Sequence, residues 1–405
     1  MSHDDLTHAG FKDRTRVADA RERLLAAVTP HERTARLPLE AADGRALAES
    51  VSAPNPVPGY ERAAMDGYAV RAEDTFGASD RSPVVLSERE TAGPDAAVRV
   101  HTGSELPDDA DAVVMIEQTE TLGDDVEVFD AVAEGENVGP VGEDVAEGQH
   151  LYDAGHRLRP SDLGLLKSVG LAEVPVYDRP TVAVIPTGEE LVQSDPDPGE
   201  VIETNGLTVS RLVERWGGSA TYRDVVTDDE DALRAAIQRD LDHDLVVTTG
   251  GSSVGERDLT PAVVEDVGEV LVHGVALKPG HPVALGRVED TPVLMLPGYP
   301  VACIINAVQF LRPTLKAAGN LPTPDFPTTE ARLTRKISSE PGTRTFARVQ
   351  LDEEDGERVA TPTRASGSGI LSSVALADGW VVVPEGREGV AAEETVAVEN
   401  WEWSA

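Results

Sequence analysis

Four short apolar runs, each ended by a loop rich in glycine or proline, constrain residues 181–303 more tightly than any other feature of the chain. They are TVAVIP before Thr187-Gly188-Glu189-Glu190, LVV before TTGGSSVGERD (Thr248 to Asp258), VLVHGVAL before KPGHP (Lys278 to Pro282) and VLM before LPGYP (Leu296 to Pro300). A strand covered on both faces reads as a continuous apolar run instead of an alternating one. Alternating with helical patterns, such runs predict a doubly wound, mainly parallel α/β sheet. Loops at the carboxyl ends of such strands converge on one crevice, so the chemistry is expected there.

The 405 residues suffice for several domains. Acidic residues outnumber basic ones 73 to 35, for a net charge of -38. That field opposes nonspecific binding to nucleic acid or anionic membrane, and an anionic ligand needs local help to be held. Because the acids are spread among ordinary apolar periodicities, they predict a folded protein adapted to high salt, where the Debye length falls to roughly 3 Å at 1 M. The single cysteine, Cys303, sits in an apolar helical run and is expected to be a buried, inert thiol. No stretch approaches the ~20 apolar residues of a membrane span, and MSHDDLTHAGFKDR lacks a signal-peptide core, so a cytoplasmic location is expected.

In chain order, Val17 to Val28 predicts a helix, RLPLEAADGRALAES two extended runs joined at Asp43-Gly44, and Asn55 to Tyr60 a Pro-rich boundary. Residues 65–144 read as all β. SDLGLLKSVG then predicts a helix with Ser161 at its N-cap and Gly170 closing it. Further on, Thr204 to Trp216 predicts a helix, YRDVV a strand, DDEDALRAAIQRDL a helix, and VACIINAVQFLRPTL a helix ended at Pro313. An all-β pattern returns from about Ala331. The expected division is a discontinuous N-terminal domain (15–50 and 145–178), an inserted β domain (51–144), an α/β domain (179–320) and a β-barrel-like C-terminal domain (328–405).

Several glycines in TTGGSSVGERD can bring backbone N–H groups together at a helix start, which suits phosphate. GGSSVG is not a G-x-G-x-x-G pattern, so no dinucleotide fingerprint is present. Glu189 and Asp258, at two strand tips, could hold Mg²⁺ with phosphate oxygens completing its shell. Lys278 is one of only five lysines, which marks it as a candidate for an anionic substrate. His281 could add a hydrogen bond or a charge, with nearby carboxylates or a bound oxyanion favouring its charged form.

Taken together, PVPGYERAAMDGYAV (Pro56 to Val70), HTG (His101 to Gly103), VVMIEQTE, GED (Gly142 to Asp144), TGEE, TTGGSSVGERD, KPG, LPG and the late GSG-ILSS stretch (Gly367 to Ser373) resemble the MoeA-type molybdenum insertases, the molybdopterin molybdenumtransferases related to the gephyrin E domain. The resemblance runs from about Val17 to Trp403. It implies an elongated homodimer with the active cleft between the α/β domain and the small β domain of the other subunit. The implied reaction takes molybdopterin-AMP and molybdate to molybdenum cofactor and AMP, assisted by a divalent cation. On matching positions it implies substrate contacts from Thr187, Gly188, Glu189, Thr249, Gly250, Gly251, Ser252, Ser253, Gly255, Pro279, Gly280, Pro297, Gly298 and Pro300. Catalytic roles fall on Glu61, Asp144, Asp228, Asp258, Lys278 and His281, with Asp229 beside Asp228. Thr102 would reach across from the β domain and Ser368 would face the oxyanion.

The chain departs from the family pattern in several places. Glu61-Arg62 replaces Asp-Asn, Gly139-Pro140-Val141 an arginine-rich stretch, His281 the second lysine of KPGKP, Tyr299 the asparagine of LPGNP, and Thr343 an arginine that Arg344 displaces by one. Competing readings are a tungstate-handling paralogue, a non-catalytic scaffold of the same fold, and a molybdopterin adenylyltransferase. The adenylyltransferase shares the TTGG loop but not the extra β domains, and is itself a candidate partner. Retained Glu189, Asp258 and Lys278 favour the enzyme over the scaffold.

Overall fold

The computed structural model describes residues 14–250, 259–363 and 367–403. Its centre is a six-stranded sheet in the order Ser219–Tyr222, Thr181–Pro186, Leu245–Thr249, Thr291–Leu296, Ala284–Val288, Glu269–His273. The first four strands are parallel, and the last two continue antiparallel.

Successive residues of these strands enter different cores. Val182, Val184, Leu245, Val247, Leu294 and Leu296 face one side, and Ala183, Ile185, Val246, Val293 and Met295 the other. The first face is covered by the helix Val17–Ala26, the helix Asn205–Arg215 and the segment 300–318, through Leu24, Val209, Val213, Ile305, Phe310 and Leu315. The second is covered by Glu230–Arg239 and Leu259–Val267, through Leu233, Ile237, Val263 and Val264. Each fully buried Val or Leu contributes about 1.5–3 kcal/mol, so both faces demand a helix layer. Among the described residues no helix is long and apolar enough to cross a membrane.

Several expectations change in detail. The run VLVHGVAL is not one strand: Glu269–His273 stays in the central sheet, while Leu277–Lys278 leaves it and pairs in parallel with Arg344 and Thr345 of the C-terminal sheet. Gly274, at φ +85°, makes the turn outward possible. The YRDVV strand is instead Ser219–Tyr222; beyond it Arg223 N–H still donates to Val184 O at 2.9 Å and Val226 makes an isolated bridge to Thr187, while the Arg223 guanidinium lies on the buried Asp240. Pro313 does not end its helix. A π turn over Ala307–Leu311 resets the hydrogen-bond ladder, and Pro313 then lies in the first turn of the helix Arg312–Ala318, where its missing N–H costs nothing. The helix predicted to start at Ser161 begins at Pro160 with Arg159 as N-cap, since the Asp162 carboxylate accepts the Arg159 N–H at 2.9 Å. Of the two extended runs predicted near Asp43-Gly44, only Thr34–Pro38 is a regular strand. A 3-10 turn over Leu39–Ala41 follows, and Ala46 and Leu47 make isolated bridges.

A separate small core joins Leu39 and Leu47 to Leu158, Leu166, Val174 and Val176, so chain segments on either side of the β insertion pack together. Between them the strands Ala112–Met115, Gly67–Val70, Ala96–Val100, Val84–Glu88, Asp125–Val128 and Thr119–Leu122 form a second six-stranded sheet. After residue 327 the strands Arg344–Glu354, Glu357–Pro362, Thr328–Leu333, Thr395–Glu399 and Gly379–Val383 pair in a ring, the last returning to the first. That ring is a closed barrel, which leaves no free edge among its five strands.

Candidate functional site

At the carboxyl ends of the central strands lie two adjoining cavities, of about 640 and 480 Å³, with Gly298 and Tyr299 lining both. Tyr299 is 63 % exposed and stands as the N-cap of the helix Pro300–Asn306, and with Gly298 it marks the boundary between the two lobes.

The smaller lobe is built by close approach of three loops. Gly250, at φ +122°, donates to Leu296 O at 3.0 Å, and a Cβ there would lie 2.2 Å from Thr187 O. Only glycine lets the TGEE and TTGG loops touch in this way. A Cβ on Gly298 would come within 3.4 Å of Gly250, and Asn205 Nδ2 donates to Gly298 O at 2.7 Å, which ties the LPG loop to the start of the helix Asn205–Arg215. Thr187 and Thr249 line this lobe. Both are buried, and their hydroxyls find no hydrogen-bond partner among the described residues. Buried hydroxyls left in this state are poised for a ligand.

Acids gather at the same lobe. Glu190, one residue beyond the expected Glu189, lines it, as does the buried Glu203, which accepts from Gly206 N–H at 2.7 Å and from the Tyr222 hydroxyl. Asp228 lies beside Glu190, and burial together with that negative neighbour pushes its carboxyl up from the usual range, while the Glu189 N–H opposes the rise. Asp229 is a helix cap whose Oδ1 accepts Ala232 N–H at 2.9 Å. Gly251, Ser252, Ser253, Gly255 and Asp258 lie outside the described residues.

The larger lobe lies between the α/β unit and the barrel. Lys278, Pro279, Gly280, His281 and Pro297 form one wall; Lys336, Phe346, Arg348 and Ser368 belong to the other. Lys278 Nζ is held by Glu340 Oε1 at 2.8 Å, so an incoming anion competes with that carboxylate. Gly280 is fixed from beneath: the fully buried Asn306 donates from Nδ2 to Gly280 O at 2.9 Å and to Ala302 O at 2.8 Å. Ser368 O accepts Val301 N–H at 3.0 Å, seating the late glycine-serine stretch over the start of the helix Pro300–Asn306, while Gly369 packs near the Tyr299 ring.

Of the two roles open to His281, a hydrogen bond or a charge, its surroundings favour the first. Burial lowers its pKa, Arg14 and Lys278 lower it further, and Glu340 only partly compensates, so the neutral ring is favoured. Sequence reasoning missed Arg348, which is 7 % exposed, lines the lobe, and donates to Phe346 O at 3.3 Å and Ser373 Oγ at 3.4 Å. An arginine alternating with apolar residues in a strand looks like a solvent-facing position, and barrel closure is what buries it.

Glu61, Thr102 and Asp144 line neither lobe; they lie exposed on the inserted β region. There Asp66 Oδ1 accepts both the Thr102 N–H at 2.7 Å and its hydroxyl at 2.9 Å, which lowers the Asp66 pKa, and Arg62 pairs with Glu143 at 3.1 Å. The Thr102 hydroxyl is thus already engaged by Asp66.

Two aspartates and a histidine with metal-ligand spacing, Asp240, Asp242 and His243, occur just before Leu245, at the opposite end of that strand from the site. Asp240 is taken by Arg223 and by Arg239 at 2.8 Å, so its charge is already answered. Cys303 is buried, and burial pushes its thiol pKa far up, leaving it inert as expected.

Residues 15–170 match the MoeA N-terminal region (domain I and II), 183–317 the probable molybdopterin binding domain, and 330–401 the MoeA C-terminal region (domain IV). The molybdopterin molybdenumtransferase of Bacillus subtilis is 35 % identical over 89 % of this chain and 90 % of its own. Molybdopterin molybdenumtransferase 2 of Mycobacterium tuberculosis strain H37Rv is 36 % identical over 88 % of this chain and 92 % of its own. A crystal structure of the molybdopterin biosynthesis MoeA protein from Pyrococcus horikoshii superposes with a TM-score of 0.83 at 34 % identity, covering 96 % of this chain and 100 % of that one. On these matches, which span nearly its whole length, the chain belongs to the MoeA family of molybdopterin biosynthesis proteins.

Proposed function

We propose that this protein is a molybdopterin molybdenumtransferase that takes adenylylated molybdopterin and molybdate to molybdenum cofactor and AMP. The observation that carries the reading is the two-lobed cavity divided at Gly298 and Tyr299, with hydroxyls and acids on one side and Lys278, Lys336 and Arg348 on the other. In this reading the acidic lobe takes the pterin nucleotide. Thr187 and Thr249 donate to its phosphate oxygens, and Tyr299 offers an exposed aromatic face to a heterocycle. The basic lobe takes the oxyanion through Lys278, Arg348 and Ser368, with neutral His281 as a hydrogen-bond partner instead of a charge.

Glu190 and Asp228 repel each other at the lobe's edge, and hard carboxylate oxygens crowded in this way suit a divalent cation such as Mg²⁺. Glu189, Glu190, Asp228 and Asp258 would hold it, and it would offset charge on the phosphate oxygens when bound. The residues of the chain then have simple tasks: they orient the phosphoanhydride, hold the oxyanion beside the pterin, and exclude water where the lobes meet.

Glu61, Thr102 and Asp144 join this site only if a second copy brings its inserted β domain across, so the active form is proposed to be a homodimer. The domain division given above, a cytoplasmic location and adaptation to high salt belong to the same proposal. Sedimentation should show a dimer that loosens in dilute buffer, because the -38 charge is then unscreened.

To test the assignment of the lobes, AMP release is measured in Arg348→Met and Asp228→Asn. Arg348→Met should raise the molybdate requirement at least tenfold, with the KM for adenylylated molybdopterin within about twofold, as expected for loss of a charge-assisted bond. Asp228→Asn should do the reverse. Equal effects of both variants on both substrates would refute the division.

A further inference from the structure

Behind the larger lobe lies a third cavity of about 600 Å³, and Phe346 lines both. Three arginines from distant parts of the chain converge on it: Arg21 from the helix Val17–Ala26, Arg312 from the helix Arg312–Ala318, and Arg344 from the barrel strand Arg344–Glu354. In a protein with twice as many acids as bases, such a gathering of cations runs against the overall composition.

Of the three, only Arg344 is in an ion pair among the described residues; the hydrogen-bond partners of Arg21 and Arg312 are neutral. Arg21 donates to Gln309 O at 3.2 Å and to Gln309 Oε1 at 2.8 Å, both neutral. Arg312 donates to Pro324 O at 2.6 Å and lies 4.2 Å from the Phe326 ring centroid. It is only 5 % exposed, and its Nε has no hydrogen-bond partner among the described residues. Arg344 pairs with Glu385 at 3.2 Å. Two acids also line the cavity, Asp325 and Glu399, and Glu399 already accepts Trp380 Nε1–H at 2.9 Å.

Guanidinium groups cannot shed their protons, so their mutual repulsion is offset only by anions, here in part by Glu385, Glu399 and Asp325. Arg21 has its pKa lowered by burial and then by Arg344, with Glu399 opposing less strongly, and Arg312 by burial and then by Arg21, with Asp325 opposing less strongly, so the three feel one another more than they feel the two acids.

We propose that this cavity binds a tetrahedral oxyanion or phosphate group through Arg21, Arg312 and Arg344. Occupied, it links the amino-terminal helix, the helix after the LPG loop and the barrel, directly behind the wall of the larger lobe. The inference stands apart from the function proposed above, since it uses none of the residues assigned there.

Inorganic phosphate is titrated into the full-length protein at constant ionic strength in chloride, by calorimetry and by thermal unfolding. Saturable binding that raises the melting temperature is expected, and it should survive Lys278→Met, which weakens oxyanion binding in the larger lobe. Arg21→Gln and Arg344→Gln should each weaken it at least tenfold, whereas Glu385→Gln, which frees Arg344, should keep or tighten it. Repeating the titration with AMP distinguishes a nucleotide phosphate, which would bind more tightly than phosphate at the same arginines, from a free oxyanion, which would not. Unchanged affinity in both arginine variants, or an effect matched by chloride alone, would overturn the proposal. So would a loss in Glu385→Gln as large as in Arg344→Gln, which would mean that the ion pair and not the charge matters.

Discussion

Asn306 connects the fold to the site, and Asn306→Asp tests that connection with almost no change of shape. The native amide donates to Gly280 O and Ala302 O from a fully buried position. An ionised aspartate would point negative charge at two carbonyl oxygens in a dry environment. Desolvation can raise a buried carboxyl by 3–5 pKa units, so the group would enter the fold neutral at low pH and resist folding when ionised. With a shift of about 3 units, ionisation costs roughly 4 kcal/mol once the pH exceeds the folded pKa, and one lost hydrogen bond adds about 1 kcal/mol. The destabilisation relative to wild type should therefore grow from about 1 kcal/mol near pH 4 by roughly 1.4 kcal/mol per pH unit, levelling near 5 kcal/mol by about pH 7. Urea unfolding of both proteins at a series of pH values, in high salt, reads this directly. Because Gly280 forms the wall of the oxyanion lobe, molybdate affinity should fall in parallel. A constant destabilisation below about 1 kcal/mol across that range would refute both the burial and the donor role assigned to the amide.

Three other outcomes follow from the same reasoning. Gly250→Ala should destabilise the fold by roughly 1–3 kcal/mol from backbone strain and raise the KM for the pterin nucleotide, because its Cβ meets Thr187 O; thermal unfolding and AMP-release kinetics check both. Asp162, held by Arg159 at 2.8 Å and His156 at 2.8 Å against the cost of its burial, has a pKa well below the carboxylate range. Its stabilisation is present above the unfolded value near 3.8 and is lost as pH falls below it, so Asp162→Asn should cost about 2–4 kcal/mol at pH 7 and much less at pH 2 in denaturant titrations. Lys316 is fully buried, and burial plus Arg157 and Arg312 pull its pKa from 10.5 down to about 7. Between those values the unfolded chain holds the extra proton, so this lysine makes stability rise with pH; Lys316→Met should raise the melting temperature at pH 7 and flatten that rise.

How much of this was legible in the sequence depends on whether the signal was local. The central sheet announced itself because both faces of Thr181–Pro186 and Leu245–Thr249 are buried, which gives apolar runs no surface strand would carry. Loop glycines such as Gly250 were legible as loop residues, but the contact with Thr187 that requires glycine there joins segments about sixty positions apart. Closure of the barrel was not legible, since it depends on Arg344–Glu354 pairing with Gly379–Val383, and the burial of Arg348 went unseen with it. Lys278 was singled out by scarcity, yet its departure from the central sheet to pair with the barrel follows from a turn at Gly274. The aromatic ring at the boundary, Tyr299, was visible only as a departure from a family pattern. For His281 the sequence left a hydrogen bond and a charge both open, because it shows neighbouring charges but not the burial that lowers the ring's pKa.

The most direct test of the account is AMP release from adenylylated molybdopterin by the full-length protein in high salt, followed with and without molybdate. Release should depend on molybdate, saturate with it, and leave molybdenum bound to the pterin. Release at the same rate without molybdate, or no release with it, would contradict the assignment of the two-lobed cavity to this reaction.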